Sequence, residues 1–280
     1  MDSILLDGPL GTALQARGVP TPLPGWSVHA LEDAPEVVSA IHAEYAAAGA
    51  TVHTTNTFRA RPAVLRERWE RLARRAVRLA RDAVPVGHRV AGSIAPLADC
   101  YRPDLSPARR DPAGTRAQHR ALARVLADEG CDLLLCETFP DALEAELALE
   151  EALATGLETW VSWTPGPDAD LLSPADVARA AARAADAGAR GVLVNCLPAD
   201  RALPYVSALA EVVSGREVLA GVYANSGRPD DASGWRSAPV AAEEYVARAR
   251  EWWAAGARII GGCCGTDAAL IAALAAGATS

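Results

Sequence analysis

The chain has 280 residues, of which 50% are hydrophobic and 22% are charged, so it can bury a sizeable core. Its formal net charge of −8 disfavours nucleic acid and anionic lipid surfaces as partners. Its basic side chains, apart from histidine, are all arginines, which excludes catalysis through a lysine Schiff base.

The first residues lack the basic start and apolar run of a signal peptide. No apolar stretch reaches the roughly 18 residues that a transmembrane helix needs. We therefore expect a cytoplasmic protein without a membrane partner, in a compartment where thiols stay reduced. There, six cysteines are better interpreted as metal ligands, nucleophiles or core residues than as a disulfide framework.

A strand and helix unit recurs along the chain. A short run of Val, Ile or Leu is followed by an Ala-rich helical stretch and then by glycine. The predicted strands cover residues 4–7, 50–57, 89–94, 131–137, 158–164, 191–196, 218–225 and 257–262. The glycines that we expect to end helices are Gly49, Gly130, Gly156, Gly188, Gly215 and Gly256. Ser173, followed by Pro174 and Asp176, predicts a helix N-cap.

Eight strands that alternate with helices predict a single-domain α/β protein, a (β/α)₈ TIM barrel over residues 1–280. An open doubly wound sheet is the alternative, but no G-x-G-x-x-G motif follows a strand to support it. The active site of a TIM barrel lies at the carboxyl ends of its strands. The long, Pro-rich segments 18–35 and 96–115 are therefore candidates for lids over this site or for its rim.

The most informative motif is Gly261-Gly262-Cys263-Cys264, at the end of the last predicted strand. Adjacent side chains of a regular strand point to opposite faces, but flanking glycines permit a turn in which two cysteines share one metal. Cys196 ends the sixth predicted strand, on the same rim. Three converging thiolates would leave zinc one open coordination position, as in catalytic sites. The alternative is that each cysteine is a small buried residue, which is our interpretation of Cys100, Cys131 and Cys136.

These residues resemble the homocysteine S-methyltransferase family. That family includes enzymes that use S-methylmethionine or betaine, and the homocysteine module of cobalamin-dependent methionine synthase. The resemblance runs over nearly the whole chain and rests on the glycine and cysteine motif together with Asp7-Gly8-Pro9-Leu10-Gly11-Thr12, Thr55-Asn56-Thr57-Phe58, Glu137-Thr138-Phe139, Val194-Asn195-Cys196 and Tyr223-Ala224-Asn225-Ser226-Gly227.

The resemblance implies a zinc ion held by Cys196, Cys263 and Cys264, with the homocysteine sulfur as fourth ligand. The implied reaction is methyl transfer from S-methylmethionine or S-adenosylmethionine to homocysteine, giving methionine. The implied substrate contacts are Glu137 with the amino group, Thr57 near the carboxylate, and Asp7 and Asn225 in the same pocket.

Other functions are compatible with the same three cysteines. The donor would be betaine or a separate corrinoid protein, or the acceptor another thiol or a selenol; a barrel that binds zinc or thiols without turnover is a third possibility. Trp26, Trp163 and Trp235 are candidates for cation–π contact with a cationic donor. The chain departs from the family at Ala224, where proline is common, and after Thr266, where a proline is missing.

Overall fold

The computed structural model describes residues 3–226 and 241–278. Its strands are β1 (Ile4–Leu5), β2 (Val52–Thr54), β3 (Arg89–Ile94), β4 (Leu133–Phe139), β5 (Glu158–Trp163), β6 (Gly191–Pro198), β7 (Leu219–Asn225) and β8 (Ile259–Gly262). Its α-helices are α1 (Leu10–Ala16), α2 (Ala30–Asp33), α3 (Pro35–Ala47), α4 (Pro62–Leu65), α5 (Trp69–Ala83), α6 (Pro112–Asp128), α7 (Ala142–Leu153), α8 (Pro174–Ala187), α9 (Leu203–Val213), α10 (Ala242–Ala254) and α11 (Ala268–Ala278). Short 3₁₀ helices cover Trp26–His29, Arg66–Arg68, Pro103–Leu105 and Ala199–Arg201.

All eight strands are parallel, and β1 pairs with β8 while the other strands follow in chain order down to β2. The two edges of this sheet meet at an isolated bridge between Leu6 and Val52. At this seam the Thr51 N–H donates to the Leu5 carbonyl and the Asp7 N–H to the Val52 carbonyl. The sheet therefore closes into the predicted (β/α)₈ barrel.

Alternation along the strands separates two buried regions, as the pleat of a strand requires. In β4, Leu133 and Leu135 point into the barrel interior, where they pack with Trp160. Leu134 and Cys136 point outward and pack in the layer between strands and helices. The prediction that Cys136 is a buried packing residue on the outer face is therefore confirmed.

The local signals for helix ends are also confirmed. All six predicted stop glycines have positive φ values, between 74° and 111°. The Ser173 side chain accepts a hydrogen bond from the Asp176 N–H, and the Asp176 side chain accepts one from the Ser173 N–H. Helix α8 thus begins with a complete capping box.

The strand ends differ from the prediction where the chain leaves regular pairing. β2 stops at Thr54, three residues short of the predicted end, because the Thr57 N–H turns back to the Thr55 carbonyl. β4 and β6 each run two residues further than predicted, with a register shift near the end of each strand. No helix in the described part of the chain is long and apolar enough to cross a membrane.

Candidate metal and substrate site

The three cysteines that the sequence singles out meet at the carboxyl end of the barrel. The Cys196 Sγ lies 3.4 Å from the Cys263 Sγ and 4.0 Å from the Cys264 Sγ. In tetrahedral coordination with metal–sulfur bonds of about 2.3 Å, neighbouring sulfurs are about 3.8 Å apart. The three thiols therefore already have the spacing that one metal ion requires, which supports the grouping of Cys196, Cys263 and Cys264 as ligands.

The turn after β8 explains how two adjacent cysteines reach the same site. A Cβ atom at Gly262 would lie 2.2 Å from the Thr266 Oγ1, and one at Gly261 would lie 2.6 Å from the Leu6 Cβ. The Cys263 N–H still pairs with the Ala224 carbonyl, but the Thr266 N–H and hydroxyl both donate to the Cys263 carbonyl. The glycine pair thus permits a tight turn that brings the Cys263 and Cys264 thiols to the same side.

Cys196 reaches the site through an irregularity in β6. Its φ is 58°, in the left-handed region that residues other than glycine rarely adopt, and the register of β6 shifts between Asn195 and Pro198. The Asn195 side chain holds this turn: its Oδ1 accepts from the Ser162 hydroxyl at 2.7 Å and from the Thr138 N–H at 3.2 Å. Its Nδ2 donates to the Thr138 hydroxyl at 2.7 Å.

The thiols share protons unequally. Hydrogen bonding with Cys196 and Cys264 holds the pKa of the Cys263 thiol well below its usual value. The contact with Cys263 raises the pKa of the Cys196 thiol. Ionisation of Cys263 is therefore favoured over that of Cys196, because a second buried thiolate would be repelled by the first. A divalent cation removes that repulsion, so the cluster is suited to bind a metal with loss of protons.

The cysteines open onto a cavity of about 1370 Å³ at the carboxyl ends of the strands. Residues of both long Pro-rich segments line it, among them Trp26 from segment 18–35 and Tyr101 from segment 96–115. The prediction that these segments form the rim of the site is therefore confirmed. Asp7 and Glu137 line the same cavity as the three cysteines.

Glu137 is a buried carboxylate at the end of β4. It accepts hydrogen bonds from the Ser93 hydroxyl and, at 3.1 Å, from the Tyr223 hydroxyl. It makes no ion pair with any basic side chain of the described residues. Burial raises its pKa to about 7, although both hydrogen bonds oppose that rise. Such a carboxylate is suited to receive the ammonium group of a ligand.

Asp7 is likewise buried without a cationic partner. Its carboxylate accepts hydrogen bonds from the Thr54 N–H at 2.8 Å and from the Thr54 hydroxyl at 3.0 Å. His42 and His53 lie close to it, within 4.8 Å between polar atoms. Burial lowers the pKa of His42 to about 3 and that of His53 to about 4, so neither imidazole is charged at neutral pH. Burial also raises the pKa of Asp7.

The remaining predicted contacts, Thr57 and Asn225, lie in the walls rather than on the cavity surface. Thr57 is fully buried, and its hydroxyl donates to the Ser93 carbonyl at 2.7 Å. Asn225 is buried at the end of β7, and neither polar atom of its side chain has a hydrogen-bond partner among the described residues. The roles of Thr57 and Asn225 in substrate binding stay predictions.

Several site residues were missed by sequence reasoning. The Tyr101 hydroxyl lies 3.1 Å from the Cys196 Sγ, and Tyr101 packs against the cysteines. Cys100 is buried as expected but also lines the cavity. Tyr101 and Cys100 lie in the long segment after β3, which has no periodic pattern from which their orientation follows.

Of the three tryptophans considered for contact with a cationic donor, only Trp26 is found in the cavity wall. Trp163 is fully buried in the layer between strands and helices, so its candidacy is wrong: it is the last residue of β5 and points outward. Trp235 lies outside the described residues.

Comparisons with known proteins agree with this geometry. A family model described as homocysteine S-methyltransferase matches residues 4–278. The homocysteine S-methyltransferase of Escherichia coli is 35% identical over 98% of this chain and 94% of its own length. Homocysteine S-methyltransferase YbgG of Bacillus subtilis is 31% identical over 99% of this chain and 95% of its own length.

A solved structure is also similar over the whole barrel. The metallated form of the homocysteine methyltransferase MmuM from Escherichia coli superimposes with a TM-score of 0.82 at 30% sequence identity. The similarity covers 99% of this chain and 96% of that chain. The chain belongs to the homocysteine S-methyltransferase family.

Proposed function

We propose that this protein methylates the thiol of homocysteine to give methionine, with a zinc ion held by Cys196, Cys263 and Cys264. The proposed donor is a methylsulfonium compound, S-methylmethionine or S-adenosylmethionine. The observation that carries the proposal is that three thiols share one cavity with the Glu137 carboxylate, which forms no ion pair among the described residues. The Cys196 Sγ lies 3.4 Å from the Cys263 Sγ and 4.0 Å from the Cys264 Sγ.

The thiol cluster fits the metal chemically as well as in its spacing. Thiolate ligands favour zinc over magnesium or calcium, and three of them leave a fourth position open. When bound, zinc supplies Lewis-acid stabilisation that keeps an alkyl thiol in its nucleophilic thiolate form near neutral pH.

The protein side chains then bind and orient the acceptor. The homocysteine ammonium group pairs with Glu137, whose hydrogen bonds from Ser93 and Tyr223 hold the carboxylate in one orientation. Methyl transfer forms a bond between the acceptor sulfur and the methyl carbon as the bond from that carbon to the sulfonium sulfur breaks. The donor leaves as a neutral thioether, and the second product is methionine.

The test is methionine formation from homocysteine and S-methylmethionine that carries an isotopically labelled methyl group, with metal content measured on the same samples. We expect labelled methionine and about one zinc per chain, as three thiolate ligands provide one site. Cys263→Ser should lose both, whereas Cys136→Ala, which changes an outward-facing cysteine, should retain both. Zinc at full occupancy in Cys263→Ser would contradict the ligand assignment.

The same assay identifies which methyl donor and which acceptor the protein uses. S-Adenosylmethionine, betaine and a methylated corrinoid protein replace S-methylmethionine in parallel reactions, and a selenol replaces homocysteine. A protein that holds zinc but forms product only with another pair would retain the metal assignment and overturn the proposed substrates. Absence of product with every pair would support a barrel that binds zinc or thiols without turnover.

A further inference from the structure

Arg59 is a cation in the cavity wall that forms no ion pair with any residue the structure describes. Among the described residues, the basic side chains that line the cavity are Arg17 and Arg59. Arg17 pairs with Glu44. Arg59 forms no ion pair within the described chain; its Nη1 donates to the Ala98 carbonyl at 3.2 Å, and its buried Nε has no partner. A half-buried guanidinium with unused donors is suited to bind an anion.

Aromatic rings connect Arg59 with the cysteines. The Arg59 Cζ lies 5.5 Å from the centre of the Phe58 ring. The Phe58 ring meets the Trp26 ring edge to face, with centroids 6.1 Å apart. Trp26 in turn packs against the cluster of Cys196 and Cys264. The cavity wall therefore presents a continuous strip, Trp26–Phe58–Arg59, that is aromatic beside the thiols and cationic at its other end.

We propose that Arg59 binds the carboxylate of the methyl donor and is a specificity-determining residue for it. This inference rests on the proposed methyl transfer. The donor must hold its methyl group at the thiols, where Trp26 and Tyr101 pack against the cysteines. Aromatic rings attract a positive sulfonium. A donor that is also an amino acid carries a carboxylate several bonds away from its sulfonium. Arg59, at the far end of the strip from the thiols, can bind that carboxylate.

The carboxylate of homocysteine is the other possible partner, but the geometry favours the donor. The amine and carboxylate of homocysteine share one carbon, so an amine at Glu137 keeps the carboxylate near Ser93 and Tyr223, the hydrogen-bond partners of Glu137. Arg59 is instead tied to Ala98, in the long segment that forms the rim of the cavity. The acceptor and donor carboxylates therefore occupy different parts of the cavity.

The experiment compares S-methylmethionine with its carboxamide, which keeps the sulfonium and the amine but has no negative charge. For the wild-type protein, kcat/KM for the acid should exceed that for the carboxamide by roughly ten- to a hundredfold, the range for a charge-assisted hydrogen bond. Arg59→Gln should abolish this preference, because it should lower kcat/KM for the acid and leave kcat/KM for the carboxamide unchanged. Arg59→Lys should retain part of the preference because it retains the charge.

Arg17→Gln is the matched control, since it removes a cation of the same cavity wall that already pairs with Glu44. This variant should keep the full preference for the acid. A preference that survives in Arg59→Gln would overturn the inference. So would a rise in the KM of homocysteine with an unchanged KM of the donor, because Arg59 would then serve the acceptor.

Calorimetric titration of the protein with each donor, without homocysteine, gives a readout that does not depend on turnover. The acid should bind the wild-type protein at least tenfold more tightly than it binds Arg59→Gln. Binding of the acid without methionine formation would refute the proposed function and leave Arg59 as a carboxylate anchor. Equal binding of acid and carboxamide to the wild-type protein, or no binding of either, would refute the inference itself.

Discussion

Glu137, the proposed partner of the substrate amine, is a buried carboxylate whose ionisation depends on its surroundings. Burial raises its pKa to about 7, because the charged form loses hydration that the Ser93 and Tyr223 hydroxyls only partly replace. In the empty protein this carboxyl group is therefore protonated below pH 7 and ionised above it. An ammonium group favours the ionised form, so binding of the substrate and ionisation of Glu137 are linked.

The sign of this linkage gives a prediction. Because the pKa of Glu137 is raised to about 7, the charged form that pairs with the amine is lost as the pH falls through 7. The KM of homocysteine should therefore rise as the pH is lowered from 8 to 6. Glu137→Gln should raise that KM by roughly ten- to a hundredfold at pH 8 and remove its pH dependence near 7.

Ser93→Ala is the control for this prediction. Its hydroxyl lowers the pKa of Glu137, so removing it should shift the pH dependence of KM to higher pH without abolishing it. The measurement is the KM of homocysteine at closely spaced pH values, with the metal content verified at each. A Glu137→Gln protein with the wild-type profile would assign the titration to another group.

At the scale of elements, the ends of β4 and β6 depart from regular strand geometry together. Thr138 and Cys196 have φ values of 64° and 58°, and both strands shift register there. Left-handed residues other than glycine persist where their surroundings hold them. Here the Asn195 side chain on β6 makes two hydrogen bonds to Thr138 on β4 and one to Ser162 on β5, so the position of Cys196 depends on β4 and β5 as well as on β6.

Asn195→Ala should therefore weaken metal binding although Asn195 is not one of the proposed ligands. Loss of a group that orients ligands lowers metal affinity by roughly ten- to a hundredfold. It should also lower the free energy of unfolding by about 2 kcal/mol, since buried partners lose their bonds. Competition with a chelating dye measures the affinity, and denaturant unfolding measures the stability.

Ser162→Ala removes only one of the four hydrogen bonds of the Asn195 side chain and should have a smaller effect on both quantities. If Asn195→Ala kept wild-type metal affinity, the β6 turn would be held by other contacts, and Asn195 would have no positioning role.

The sequence predicts regular elements better than it predicts their irregular ends. Strand β3 has its predicted bounds, and the stop glycines and the Ser173 cap follow from local backbone chemistry. The extensions of β4 and β6 depend on Asn195, whose partner Thr138 lies 57 residues earlier in the chain. Periodicity within one segment contains no information about such a contact.

The same distinction applies to the site. Cys263 and Cys264 are recognisable because flanking glycines allow both to reach one metal. Tyr101 cannot be recognised in this way, because its contact with Cys196 joins residues 95 positions apart. It lies in segment 96–115, whose sequence has no periodic pattern. Arg59 was missed because its significance lies in lacking an anionic partner, which only the folded chain reveals.

At the scale of the whole molecule, a metal held by these cysteines would connect β6 with the turn that follows β8. Cys196 lies near the carboxyl end of β6, and Cys263 and Cys264 follow β8, the strand that pairs with β1. A ligand that binds only the folded protein stabilises it by mass action, by about 2.7 kcal/mol at a hundredfold excess over the dissociation constant.

Removal of the metal should therefore lower the Tm by roughly 5 °C or more. Differential scanning calorimetry of the zinc-loaded protein, before and after treatment with a chelator, measures this shift. Cys263→Ser should show no shift, because its site is incomplete, whereas Cys131→Ala should show the wild-type shift. An equal effect of the chelator on Cys263→Ser would mean that the stabilising metal is bound elsewhere.

The closure of the barrel between β1 and β8 has a consequence for how the protein is made. β1 forms its ladder with β8 at Ile259 and Ile260, in addition to its contacts with Thr51 and Val52, and two of the three thiols come directly after β8. Translation must therefore pass residue 264 before the barrel can close between β1 and β8 or the three thiols can meet. A metal ion held by all three cysteines could bind only after this point, so a product that terminates before β8 could not form the site.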